Sequence, residues 1–487
     1  MTKLLTKSKY LIGLECLRHL WVHFNAPEKV RKPSVADEFR FKEGNKVGEL
    51  AKKLFPGGIN LPAKDFNDNL FMTKDSLNED KPLFEAGFKF GNCFSRADIL
   101  VPVGNEWDII EVKSGTEVKD INVYDVSFQR YVYLNSGLKI RKCFLMHLNK
   151  EYFRKGELDI EKLFVKEDIT LEVEKILDVK ERIDEMFKAI SSKTPPKAGL
   201  FNEKIIKKGY HDCFAEECVE LHDNHVFCLY RGGKLCSELF TEGIEMIKDI
   251  PANIELSDKQ EIQRECEVTG KVHVDKEAIK SFLAKLEYPI YYLDFETFST
   301  AIPMFDGLKA YSQVPFQFSL HVVKKENEQP EHHAFLYTGS SDPRKEFIEE
   351  LKKVLGDKGT VLVYNQSFEI TRLKELGEHF PEHKKWVEDV LNRVVDLLMP
   401  FREFSYYNSK QQGSASIKEV LPAITGKSYE GMEIGDGGTA SAEFFRVTYE
   451  KCSAEDRKKV LANLLKYCEM DTMAEVDVVE ELRRVVN

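Results

Sequence analysis

No stretch of this sequence is apolar enough to cross a bilayer, which sets aside a helical membrane protein. The opening run MTKLLTKSKYLIGLECLRHLW lacks both a long uncharged apolar core and a small-residue cleavage site, so the expectation is a cytoplasmic protein without an export signal. Internal repeats and low-complexity tracts are also missing, which excludes solenoids and disordered arrays. There is no surplus of positive charge. The formal net charge of −11 argues against broad, non-specific coating of nucleic acid, although clustered carboxylates awaiting cations contribute to such a number. Local basic groups at Lys139, Arg141 and Lys142, and at Lys207 and Lys208, read as solvated surface. What is present is a globular composition, 42% hydrophobic and 31% charged. At 487 residues the chain exceeds what one hydrophobic core serves, which predicts two domains and a small third element. Its ten cysteines, without an export signal, read as reduced thiols, some of them candidate metal ligands.

The predicted class is α/β. Residues 94–147 alternate strand-like runs (FSRADILVPV, WDIIEVK, KCFLMHL) with the helix-like DVSFQRYVYLNSG. From 151 the chain is charged and weakly patterned until TPPKAGLF, whose paired prolines mark a boundary. Between 210 and 236 lie four cysteines, three histidines and LYRGGK. The pattern then changes: PIYYLDF runs into ETFS, FQFSLHVV, HHAFLY and TVLVYN suggest further strands, and DPRKEFIEELKKVL and AEDRKKVLANLLKYCEMDTMAEVDVVEELRRVV read as helices. The expected domains are 1–175, a cysteine-bearing connector 176–285, and 286–487.

Asp294 and Glu296 stand two apart at the end of an apolar strand, so both carboxylates leave one face and offer oxygen to hard cations. VLVYNQSFEITRLKEL reads as a strand, an Asn-containing turn and a helix that carries Glu369. Tyr467 and Asp471 stand four apart and share a helical face. Asp-x-Glu, Asn-x-x-Phe-Glu and Tyr-x-x-x-Asp, in this order, resemble the three exonuclease motifs of the DnaQ-like DEDD superfamily, tyrosine subtype, whose fold is ribonuclease-H-like. The resemblance implies a two-metal mechanism with Mg²⁺ or Mn²⁺ ions about 4 Å apart. Asp294, Glu296, Glu369 and Asp471 would be the ligands, and Tyr467 would position the attacking water. One departure is Glu369, where most members carry Asp, which bears on rate more than on reaction class. Asn365 and Phe368 are read as shaping the turn and packing beneath substrate, and Asp396 as a support rather than a ligand. Ser414 is a helix-cap candidate and Lys418 a candidate phosphate contact.

In the N-terminal half, Asp98 and Glu111-Val112-Lys113 fit a hairpin that presents two carboxylates and an ammonium. Gln129 and Tyr133 fall four apart on a helix, and GNKVGELAKKLFPGG supplies Glu49. Over about residues 10–150 these resemble the RecB-like PD-(D/E)XK nucleases, restriction-endonuclease-like in fold and including the CRISPR-adaptation and AddB-type branches. Many relatives carry a metal-binding His where Gly48 stands here, so Glu49 would replace it as a ligand beside Asp98 and Glu111. Those branches often hold an iron–sulfur cluster on one Cys before and three after the nuclease core. Cys16, Cys213 and Cys218 match in place, with His222, His225 and Cys228 following, so a cluster or Zn²⁺ stands against buried, unligated thiols. Cys93, Cys143, Cys236, Cys266, Cys452 and Cys468 read as ordinary core or surface residues.

Both halves together resemble a bacterial family of uncharacterised proteins joining a RecB-like region to a DnaQ-like exonuclease, through motifs such as LDFET, PFQFSLH, VYNQSFE, GSASIKEVLP and YCEMDT. What this implies is metal-dependent hydrolysis of phosphodiesters, 3′-to-5′ from a single-stranded end, with DNA favoured. The partner is nucleic acid and no membrane. Phe295, Phe298, Tyr311 and Phe316 are candidates for base stacking or for plain core packing. The alternative is a non-catalytic nucleic-acid-binding or scaffold protein whose sites have decayed.

Overall fold

Runs of β-branched and aromatic residues recur in two separate stretches, and each builds its own sheet. The computed structural model describes residues 3–62, 65–196, 218 and 221–487. Lys207, Lys208 and Cys213 lie outside the described residues, as does most of TPPKAGLF. By its internal contacts the chain divides into one unit of residues 1–33, 37–221 and 300–312 and another of 34–36, 222–299 and 313–487. The stretch read as a connector is split between them: helix Val179–Ser191 belongs to the first unit, helices Gly233–Thr241, Asp258–Thr269 and Lys276–Leu283 to the second.

Among the described residues the first unit holds a seven-stranded sheet. Its strands are β1 (Leu5–Thr6), β2 (Ile59–Asn60), β3 (Leu83–Phe90), β4 (Cys93–Val103), β5 (Glu106–Val112), β6 (Ile140–Leu148) and β7 (Phe164–Asp168). Strands β2 to β7 are neighbours in chain order, and β1 pairs with β4. Two-residue turns with a left-handed Gly91 and Gly104 close the antiparallel β3–β4 and β4–β5 pairs, where only a residue without Cβ adopts that backbone at no cost. Helix Asp120–Asn135 then carries the chain over to β6, which runs parallel to β5. Alternation along β5 sends Ile109 into a core with Tyr10, Phe128 and Val132, and Ile110 into one with Val47, Ala51 and Met146.

In the second unit, β8 (His273–Val274) and β14 (Tyr406–Tyr407) form a small ribbon, and the main sheet comprises β9 (Ile290–Phe298), β10 (Val314–Val323), β11 (Glu331–Leu336), β12 (Thr360–Val363) and β13 (Val394–Asp396). The order is β11-β10-β9-β12-β13, antiparallel through β11, β10 and β9, with β12 and β13 parallel to β9. Tyr291, Leu293 and Phe295 pack with Phe347 of helix Arg344–Val354. Tyr292, one residue out of step, packs on the opposite face with Ala474, Val478 and Leu482 of helix Ala454–Val486. That helix is a single 33-residue element capped by Ser453, whose side chain accepts from Asp456 N–H.

Three of the four candidate stacking aromatics, Phe295, Phe298 and Phe316, are core. Phe295 stands edge-on to Phe347, and Phe316 stacks on Phe444 with centroids 3.7 Å apart and Phe298 beside the pair. Interior packing consumes the faces that a nucleobase would need. Tyr311, in the first unit, is partly exposed and donates to Ser114 O at 2.9 Å. Phe316→Ala should therefore lower the unfolding free energy by about 3–5 kcal/mol in urea denaturation. An intact fold with weakened single-strand binding would restore the stacking role.

Candidate metal centre

The register of β9 places Asp294 and Glu296 on the face of Tyr292, toward the C-terminal helix, whose 3.6-residue period brings Tyr467, Asp471 and Glu475 around to the sheet. Asp294, Glu296 and Asp471 each offer an oxygen within 4.8 Å of the others. Tyr429 OH donates to Asp471 Oδ1 at 2.7 Å, and Tyr467 hydrogen-bonds the same carboxylate. Cys468 Sγ donates to Asp294 Oδ2 at 3.5 Å. Against Glu296 lies the first turn of helix Gly437–Tyr449, where a Cβ added at Gly437 would stand 3.7 Å from Oε2.

Glu369, in the first turn of helix Ser367–His379, lies outside that three-carboxylate group but within its field. It and Glu475 are almost fully buried, and each has an Oε2 with no hydrogen-bond partner. Such oxygens are costly unless something else satisfies them. Burial drives the carboxyls of Asp294, Glu296, Glu369 and Glu475 well above the usual range, and the neighbouring carboxylates push further. Asp471 is raised to about 6, again by burial, with Tyr429 and the Lys418 ammonium pulling the other way. Lys418 Nζ is tied to Gly435 O at 2.6 Å and sits 5.4 Å from the Tyr467 ring centre. The Lys418 ammonium thus acts on Asp294, Glu296 and Asp471 together, and every acidic donor here is a hard oxygen, the set that suits Mg²⁺ or Mn²⁺.

Supporting groups explain the local geometry. Asp396 Oδ1 accepts from Asn365 N–H at 2.9 Å and Leu398 N–H at 3.0 Å, pinning the turn, with Asn365 at φ +71°, that launches the Glu369 helix. Phe368 packs into the core beside Val363 and Leu373, with the Arg372 guanidinium over its ring. Ser414 is not the helix cap: Ser416 precedes helix Ile417–Thr425, and Ser414 Oγ accepts Ser416 N–H at 3.1 Å.

The predicted N-terminal residues also converge, in a different electrostatic form. Lys113 Nζ bridges Glu111 at 2.7 Å and Asp125 at 2.6 Å, while Lys7 Nζ reaches Glu111 at 2.8 Å and Asp98 at 3.5 Å. Gln129 Nε2 donates to Glu111 Oε2 at 2.7 Å, and Tyr133 OH donates to Gln129 Oε1 at 3.1 Å. Val112 N–H holds Asp98 Oδ2 at 2.9 Å. Asp98 is raised to about 7 by burial and by Glu111, while Glu111, despite its burial, is held well below the usual range by Lys113 and Lys7. Two ammonium groups thus offset three carboxylates. Glu49 does not join them: its exposed carboxylate pairs with Lys52 at 2.7 Å, one turn along its own helix.

Among the described residues no group of three converging ligands contains a thiol, and Cys213 lies outside them. Cys16 Sγ accepts His19 N–H at 3.3 Å as a helix cap, Cys218 is buried, and Cys228 Sγ lies 4.0 Å from Gln412 Oε1. The His225 ring stacks on Phe227, and no such group includes His222.

Sequence reading missed Glu475, Tyr429 and Cys468 in one unit and Lys7 and Asp125 in the other. Glu475 continues the four-residue spacing of Tyr467 and Asp471, and Asp125 precedes Gln129 and Tyr133 by the same step, so both could have been found. Tyr429 and Lys7 arrive through tertiary folding and carry no local signal.

Residues 291–416 match a domain family described as "Domain of unknown function (DUF2779)". The match begins within β9 and takes in Asp294, Glu296, Glu369 and Asp396. Over 219 residues the chain is 29% identical to an uncharacterized protein of Mycoplasma pneumoniae, covering 41% of this chain and 33% of that protein. It is 29% identical over 214 residues to one of Mycoplasma genitalium, covering 40% and 32%. A third, from Ureaplasma parvum, is 22% identical over 233 residues, covering 43% and 34%. The matched region thus spans about a third of the length of these curated relatives.

Because the buried carboxyls of the second unit titrate above the range they have when unfolded, the native chain keeps protons that the unfolded chain has released. Their contribution to stability therefore falls as pH rises above about 4 and through the raised values. Cations that bind the ionised groups reverse this. In chelator, Glu296→Gln should flatten the fall in melting temperature between about pH 5 and pH 8, and Mn²⁺ should stabilise the wild type more at the upper end. An equal Mn²⁺ shift at both ends would contradict the assignment.

Proposed function

We propose that this chain is a metal-dependent nuclease that hydrolyses phosphodiester bonds through the second unit, removing nucleotides 3′-to-5′ from a single-stranded end, with DNA favoured. The observation that carries this reading is the all-oxygen cluster of Asp294, Glu296 and Asp471, flanked by two buried glutamates with unsatisfied oxygens. The order of its motifs along a sheet of three antiparallel and two parallel strands fits the ribonuclease-H-like architecture that the DEDD resemblance implies.

Divalent cations, when bound, supply charge stabilisation to the phosphodiester and a more acidic water. Asp294, Glu296 and Asp471 would hold them, with Glu369 completing the set. Burial and the adjacent carboxylates hold the Tyr467 and Tyr429 phenols far above neutral pH, so both remain protonated and orient Asp471 or a water rather than abstract its proton. Lys418 is the nearby cation suited to a phosphate oxygen.

For the first unit, the RecB-like reading of residues 1–175 gives a second nuclease site at Asp98, Glu111 and Lys113. The salt bridge from Lys7 to Glu111 favours the alternative there: an ammonium stands where a cation would bind, which suits backbone binding without turnover.

End-labelled single strands with Mn²⁺ test both parts. Asp294→Asn should reduce degradation by about a hundredfold or more, and Tyr467→Phe by about tenfold. Full activity in Asp294→Asn would remove the main site. Loss of all activity in Lys113→Ala alone would move catalysis to the first unit.

A further inference from the structure

Two residues before Asp471, on the same helix, Glu469 faces a histidine pair on the sheet. His321 of β10 and His332 of β11 are directly paired in the antiparallel ladder, so both side chains rise from one face, and their rings stack with centroids 4.4 Å apart. Each ring is anchored through one nitrogen: His321 Nδ1 lies 2.8 Å from Thr472 Oγ1, and His332 Nε2 lies 2.9 Å from Ser319 Oγ. The two hydroxyls are 2.7 Å apart, and Thr472 Oγ1 also reaches Glu469 O at 3.2 Å and Cys468 O at 3.4 Å.

A carbonyl only accepts, so one proton assignment satisfies the whole chain. Thr472 donates to a carbonyl of its own helix, Ser319 donates to Thr472, His332 Nε2–H donates to Ser319, and His321 Nδ1–H donates to Thr472. This leaves bare lone pairs on His321 Nε2 and His332 Nδ1. His332 Nδ1 stands 3.7 Å from Glu469 Oε1, too far for a hydrogen bond. It is close to the roughly 3.3 Å that separates two ligands on one tetrahedral zinc ion. Ligand atoms of all three residues lie within 4.8 Å of one another. His321 is buried and Glu469 exposed, so solvent reaches the cluster on one side.

We propose that His321, His332 and Glu469 form a second metal site, of the zinc class, distinct from the carboxylate centre. Two imidazoles and one carboxylate select borderline transition ions over Mg²⁺ or Mn²⁺, and hydroxyls that fix the outer nitrogens are the support such ligands require. Three protein ligands leave a fourth position for water. The ion would tie β10 and β11 to the helix that bears Tyr467 and Asp471, and the site stands whether or not the nuclease reading holds.

The test is calorimetric titration of the full chain with ZnCl₂ in saturating Mg²⁺, comparing wild type with His332→Ala and Glu469→Gln. Thiol binding is common to all three proteins and cancels in the difference. The wild type should bind about one more equivalent of zinc than either variant, or bind it at least about tenfold more tightly. A parallel Co²⁺ titration should give visible absorption that both variants lose. Glu469→Gln changes only an exposed side chain, so it reads the site even if His332→Ala disturbs the sheet edge. Equal stoichiometry and affinity in wild type and Glu469→Gln would overturn the proposal, as would Co²⁺ spectra that do not differ.

Discussion

Asp294, Glu296 and Asp471 are forced together by two elements that have no other reason to bring acid to acid. The strand supplies a hydrophobic register in which Tyr292 must face the C-terminal helix, and residues two and four further on follow it there. The helix supplies a buried stripe that must cover the sheet, and Asp471 and Glu475 lie on it. Removing these carboxylates from water while they repel one another is unfavourable. Retained protons relieve the repulsion, and bound cations would relieve it in their place. The distribution of hydrophobic residues therefore sets the geometry of the site, and the raised carboxyls in turn make this unit's stability depend on pH.

The two acidic clusters show two answers to the same electrostatic problem. In the first unit Lys7 and Lys113 lie against Glu111, and a chain of hydrogen bonds through Gln129 and Tyr133 uses its remaining oxygen. The cluster is close to self-neutralised and needs no ion to persist. In the second unit the Lys418 ammonium near Asp294, Glu296 and Asp471 is itself tied to a backbone carbonyl, while Glu369 and Glu475 keep unsatisfied oxygens. That contrast is the physical ground for proposing a metal-dependent activity in the second unit rather than the first.

Much of this arrangement was legible where it depends on local periodicity. The two-residue step between Asp294 and Glu296, the four-residue step between Tyr467 and Asp471, and the strand–turn–helix around Glu369 each follow from the geometry of a single element. The strand and helix runs likewise placed β4 to β6 of the first sheet and β9 to β12 of the second, but not β1, β2, β3 or β7. Residues delivered by distant segments were not legible: Lys7 comes from the chain's start and Tyr429 from a loop, and neither sits in a pattern. The aromatic candidates stayed undecided because a core Phe and a stacking Phe look alike in sequence, and only packing, as between Phe316 and Phe444, tells them apart. Cysteine spacing could not decide between ligation and burial, since capping and burial use thiols as readily as ligation does.

The most direct measurement is anomalous diffraction from crystals of the full chain soaked in MnCl₂. Cation-dependent phosphodiester chemistry in the second unit predicts a manganese peak among the carboxylates of Asp294, Glu296 and Asp471, which disappears in Asp294→Asn. Carboxylates in that position with no anomalous density at a saturating soak, or with density only elsewhere, would contradict it.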